Sequence, residues 1–184
     1  MSTETIDKQQ IPAGTWVVDP VHSSVSFAVT HNGVTTFRSG FERYEARLSG
    51  GEQPQLEGSV EVESIAIDEE MLKGHLLSPE FFDTQRYPHL RFSSSELSVG
   101  EDGSARVVGE LEIHGEKRKV EAGGRFAQLG GDLAGKARVG LSIEATVDRR
   151  AFGLDWQAEL PSGGEVLDYA VTISVELELV AEEA

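Results

Sequence analysis

Cysteine is absent from the 184 residues, which removes thiol nucleophiles, disulfides and thiolate metal sites together. Positive charge is scarce: 16 Lys and Arg stand against 32 Asp and Glu, a formal net charge of −16. A field of that sign repels phosphate backbones and anionic headgroups, so nucleic acid is not an expected partner and bilayer surfaces are poor ones. No apolar run approaches the ~18 residues of a membrane-spanning helix. The first ten residues (MSTETIDKQQ) are polar and lack the apolar stretch of a secretory signal. A cytoplasmic protein without stable membrane insertion is therefore expected. Phosphate-cradling loops are missing too, because the glycines of residues 33–40 and 123–131 have neither P-loop nor dinucleotide spacing.

Glycine is abundant, with 20 copies and no collagen-like period. Glycines scattered between short apolar runs suit a turn-rich β-protein. The dominant period from Trp16 onward is two. Val25, Phe27 and Val29 alternate with small or polar residues, as do Val60 and Val62, and Leu90 and Phe92. Val107, Leu111 and Ile113 share a face; Leu141, Ile143, Ala145 and Val147 form another; Val171, Ile173, Val175, Leu177 and Leu179 form the longest. Turn signals such as Asn32-Gly33 and Ser162-Gly163-Gly164 separate the runs, and His114-Gly115 marks a tight hairpin. One stretch breaks the period. The acids from Asp68 onward cap and open a helix running to Leu77, and Ser78-Pro79 predicts a short second helix to Asp83. Eight or nine strands follow, closing either as a sandwich or as a barrel.

Five histidines (His22, His31, His75, His89 and His114) invite a metal reading, but none has HExxH or HxH spacing. Asp19, His22 and Ser23 invite a triad, but Asp-Pro-Val-His-Ser at a strand start offers no strained elbow or oxyanion donors. Asp19 and Ser23 read more simply as partners for backbone groups at a bend. No catalytic residue, metal or cofactor is expected.

Several blocks resemble the YceI-like family of lipocalin-like, polyisoprenoid-binding bacterial proteins. Asp19-Pro-Val-His22-Ser23, followed by Val25, Phe27, Val29 and His31, is similar to its opening. His75-Leu-Leu-Ser78-Pro-Glu-Phe81-Phe82-Asp83, then Tyr87-Pro88 and Phe92-Ser93, resembles its HLxSxxFFD…YPxxxFxS signature. Residues 109–120 resemble its GxLxIxGxTxxV hairpin, and Arg149-Arg150-Ala-Phe152-Gly153-Leu154 its NRxxFGL segment. The chain departs from the family at Lys73-Gly74, where Arg-Asp is usual, and at Val166-Leu167-Asp168, where Val-Gly-Asp is usual. These departures bear on headgroup contacts and tunnel length.

The resemblance implies an all-β fold: an extended eight-stranded antiparallel lipocalin-like barrel with short helices inserted near residues 69–83. Residues 1–13 would be a flexible tail and residues 14–181 a single lipid-binding domain. The implied ligand is a polyisoprenoid or isoprenoid quinone, bound without catalysis. Strand residues Phe27, Val29, Phe41, Phe92, Leu111, Ile113, Val147 and Ile173 would line the tunnel. Leu76, Phe81, Phe82 and Phe152 would join them near the helices, with His22, His75 and Arg149 as polar contacts. A homodimer is compatible with such barrels. Two other readings stand beside this one: an enzyme or stress protein acting on a lipid or small metabolite in the same cavity, and a packed barrel without a ligand.

Overall fold

The period of two is realised as ten strand segments, and the computed structural model describes residues 10–183. The segments are β1 (Gly14–Val18), β2 (Ser24–His31), β3 (Thr35–Phe41), β4 (Tyr44–Gly50) and β5 (Gln55–Glu61), then β6 (His89–Val99), β7 (Ser104–Ile113), β8 (Glu116–Leu129), β9 (Arg138–Asp148) and β10 (Leu167–Ala181). One helix, α1 (Glu70–Leu77), lies between β5 and β6. Every strand pairing is antiparallel. The order β1-β4-β5-β6-β7-β8-β9-β10 returns to β1, which closes a barrel. β10 holds β2 along residues 167–176 and β1 at residues 179–181. β1 with β2, and β4 with β3, thus act as two broken staves, and the closed wall has eight.

The break between β1 and β2 has a local cause. Pro20 cannot donate to the ladder, and Asp19 caps a 3-10 turn at Pro20–His22 by accepting the Val21 N–H. The ladder is continued around the bend by side chains: Ser23 Oγ accepts the Glu178 N–H, and Asp19 N–H reaches the Glu178 carbonyl. Asp19 and Ser23 therefore satisfy backbone groups at a bend, and the Ser23 hydroxyl is engaged. At the hairpin joining β7 to β8, His114 and Gly115 have φ of 55° and 74°. These are the left-handed pair that a two-residue turn of matching twist requires.

The second helix predicted at Ser78–Asp83 does not form. Ser78 precedes a proline, which disfavours helical backbone, and it ends α1 in an extended conformation. The following N–H groups then turn back to cap α1: Phe82 donates to the Leu76 carbonyl, Thr84 to Leu77, and both Phe81 and Asp83 to Ser78. Residues that would have begun a new helix are spent on closing the old one. α1 itself starts one residue later than Asp68 suggests, with Glu69 accepting the N–H groups of Met71 and Leu72.

Residues 1–9 of the expected tail lie outside the described residues. Ile11, within its predicted bounds, is 2% exposed and packs with Trp16, Leu48 and Leu56. The interior divides into two clusters. One fills the end of the barrel around Trp16, Leu48, Leu97, Phe126, Leu141 and Leu179. The other gathers α1 and the turns after it against Phe41, Ile65, Ile113, Phe152 and Leu154.

Candidate functional site

Between the two clusters the barrel is hollow. On β10 the inward side chains Val171, Ile173 and Val175 remain partly exposed, whereas Leu177 and Leu179 on the same face are buried. β9 repeats the gradient, from half-buried Ala145 and Val147 to buried Leu141 and Val139. An inward apolar residue that keeps accessible surface borders a void, so these gradients locate the blind end near Leu141, Ile143 and Leu177. The void has a volume of about 630 Å³, within the range of small-molecule sites.

Its wall is almost wholly carbon. Phe27 and Val29 of β2, Phe41 of β3, Phe92 of β6 and Leu111 and Ile113 of β7 line it, with Val147 of β9 and Ile173 of β10. Leu76, Phe81, Phe82 and Phe152 close the helical end. His75 and Arg149 lie there too, so the structure brings together fourteen of the fifteen residues singled out in the sequence. His22 stands apart. It is exposed beside Asp19, 2.9 Å from Nδ1 to Oδ2, and the carboxylate raises its pKa.

Val25, Val60, Leu90, Val171 and Val175 also line the cavity; they share faces already visible in the alternation and could have been read from it. Trp156, Leu154 and Leu167 could not. They lie in or beside an irregular segment, and periodicity says nothing about where such a segment packs. Trp156 sits edge-on to His75, with ring centroids 4.9 Å apart, and near Phe81.

Arg149 explains how that segment is held. It is 3% exposed and directs its donors at backbone: Nε to the Asp168 carbonyl, one terminal nitrogen to Leu154 and Trp156, the other to Leu167. Burial pushes its pKa down, yet guanidinium remains charged in proteins. Gln157 assists, its amide nitrogen on the Leu167 carbonyl and its oxygen accepting from Val166 and Leu167. His75, at the same end, has no such set of partners. His75 Nε2 is buried 3.1 Å from a Glu80 oxygen but without the alignment of a hydrogen bond. Tyr44, on the cavity wall, has its phenol pKa raised by burial and then by Asp19.

The cavity's polar residues do not form a nucleophile and base pair, and Asp19, His22 and Ser23 lie outside its lining. Asp19, His22 and Glu178 bring ligand atoms within 4.8 Å of one another. Arg138 already fills the cation position there, 2.8 Å from Asp19 and 2.9 Å from Glu178, and also binds Asp132 at 2.6 Å.

Residues 16–179 match the YceI-like domain family. A UPF0312 protein of Vibrio cholerae serotype O1 is 25% identical over 148 residues, 77% of this chain and 78% of that protein. Among solved structures, BcnA of Burkholderia cenocepacia superposes with a TM-score of 0.75 at 20% identity, covering 90% of this chain and 99% of that one. A polyisoprenoid binding domain from Saccharophagus degradans does so with a TM-score of 0.64 at 12% identity, covering 93% and 100%. No helix among the described residues is long and apolar enough to cross a membrane.

Proposed function

The chain belongs to the YceI-like domain family, and from that premise we propose that its barrel binds, sequesters or carries one long apolar lipid, of polyisoprenoid or isoprenoid-quinone type. The supporting observation is the half-buried carbon wall: Val171, Ile173 and Val175 face inward but are not packed as Leu177 and Leu179 are. Water in such a space finds few partners, and an apolar chain gains about 0.8 kcal/mol per methylene in gross transfer. Association and ordering take back roughly 4–15 kcal/mol, so a few isoprene units are enough for useful affinity. The reading agrees with the polyisoprenoid-binding neighbour, whose fold this chain shares.

The same wall argues for binding rather than catalysis. It offers dispersion contacts along its length, with polar groups such as Tyr44, His75, Arg149, Glu57 and Arg91 interspersed in a lining that is mostly carbon. A ligand end bearing oxygen would lie against one of these groups, with its chain pointing to the blind end at Leu177.

The test is to fill the cavity without disturbing the packed end. Ile173→Trp places an indole where the ligand chain would run. Binding of a fluorescent geranylgeraniol analogue is expected to weaken at least tenfold, with the urea midpoint little changed. Unaltered binding by a folded Ile173→Trp protein would place the ligand elsewhere.

A further inference from the structure

One stretch of the barrel wall is not made of strand. β3 pairs with β2 along its length, but among the described residues its other edge meets only the segment after β5. Phe41 bridges Ile65, Ala66 N–H reaches the Gly40 carbonyl, and Ser39 donates to the Ala66 carbonyl. Over residues 35–38 no strand among the described residues follows. On α1, Leu72 lines the cavity, as do Thr35, Thr36, Phe37 and Arg38 beside the gap.

Three of the six large apolar residues that are exposed among the described residues belong to this part of the lining or adjoin it in sequence. Val34, in the turn between β2 and β3, is 78% exposed, Met71 83% and Leu72 38%. One turn further along α1, Leu76 is buried, so the helix passes from core to solvent with apolar residues at both places. Two cations flank the rim. Arg38 lines the cavity and Lys73 follows Leu72; like Arg91, Lys119 and Arg125, neither has a carboxylate within 4.0 Å among the described residues, which leaves both cations available.

We propose that this rim docks on a phospholipid bilayer of zwitterionic headgroups, so that ligand passes between membrane and cavity without crossing water. The inference rests on the lipid-binding reading. Each methylene drawn into water slows release roughly fourfold, so a carrier for a long apolar chain must meet the membrane at its mouth. Val34, Met71 and Leu72 enter the interface, and Arg38 and Lys73 reach phosphate oxygens with their stems lying along the apolar boundary. Asp68, Glu69 and Glu70 at the start of α1, together with a net charge of −16, keep the docking weak and turn it away from anionic surfaces.

Transfer of a fluorescent geranylgeraniol analogue from loaded protein to phosphatidylcholine vesicles tests this. The rate is expected to rise in proportion to vesicle concentration, as collision requires, and to fall when phosphatidylglycerol replaces phosphatidylcholine. Val34→Ser combined with Met71→Ser, neither of which lines the cavity, is expected to slow transfer at least tenfold while affinity for micelle-dispersed analogue stays within twofold. Lys73→Glu is expected to slow it at least threefold. A rate independent of vesicle concentration, or one unmoved by the double substitution, overturns docking while leaving ligand binding intact. Wild-type protein that takes up no analogue from micelles overturns both.

Discussion

Two arginines next to each other in the sequence do unrelated work. Arg150 is exposed, stacks over Tyr169 and pairs with Asp148, holding that carboxyl down to about 2. Arg149 turns inward and ties residues 154–168 to the barrel through four carbonyls. Replacing it with methionine keeps the volume but leaves those carbonyls unmet, at a cost of about 3–5 kcal/mol in urea denaturation. Lysine, a single point charge, recovers less than half of this, and limited proteolysis is expected to cut both variants first between residues 153 and 166. A loss below about 1 kcal/mol in the methionine variant would contradict the clamp. The Arg149-Arg150 pair gave no sign in the sequence of which side chain is buried, because both follow a strand whose end sets their directions.

Arg138 makes a prediction about pH. Asp19 is held at about 2 by His22 and then Arg138, and Asp132 at about 2 by Arg138 and then backbone donors, both below the ordinary 3.8. Unfolded chain therefore binds more protons than folded chain between about pH 4 and 2. Stability from these two carboxylates is complete only above about pH 5 and is lost as pH falls toward 2. Urea midpoints of wild type and Arg138→Ala should differ at pH 5, by less at pH 3.5, and by well under half as much at pH 2.5. A gap that stays constant down to pH 2.5 would show that these carboxylates are not held by Arg138.

At the scale of elements, the long last strand carries two functions on one face. Leu179 is fully buried among Trp16, Leu48 and Leu141, and Leu179→Ala should cost about 2–5 kcal/mol. Ile173, six residues earlier on the same face, borders the void, and its truncation should cost under about 2 kcal/mol because part of its surface is already accessible. Equal losses at both positions would mean that the cavity collapses around Ile173. The alternation of β10 was legible as a strand with a single apolar face. The boundary between packed and hollow halves was not, since it depends on what stands opposite, including Trp16 and Phe126 from strands far away in sequence.

β8 and β9 add a steric constraint. A Cβ on Gly124 would fall 1.8 Å from the Ser142 carbonyl oxygen, so Gly124→Ala should destabilise by about 1–3 kcal/mol through forced separation of the two strands. Thermal or urea unfolding reads this directly. The helical insertion shows the converse limit of local signals. Ser78-Pro79 has the form of a helix start, and the outcome was decided instead by the unpaired carbonyls at the end of α1, which took the available N–H groups.

At the scale of the whole molecule, a period of two with one apolar face fits a sandwich as well as a barrel. Closure is the return of β10 to β1, a pairing between the two ends of the chain that no local pattern contains. The family resemblance supplied that choice. It also placed most of the cavity wall, because the wall is the inward face of the strands plus the aromatic cluster after α1. His22 was grouped with the mouth by its motif, but the bend at Pro20 turns it outward against Asp19.

The central claim is that the hollow between the two clusters holds a lipid, and native mass spectrometry of the intact protein tests it most directly, with organic extraction and analysis of whatever is released. The expected result is a one-to-one complex with a polyprenyl or isoprenoid-quinone species, either as purified or after incubation with such lipids. Protein that is empty as purified and stays empty after incubation with polyprenyl lipids and fatty acids would contradict the account.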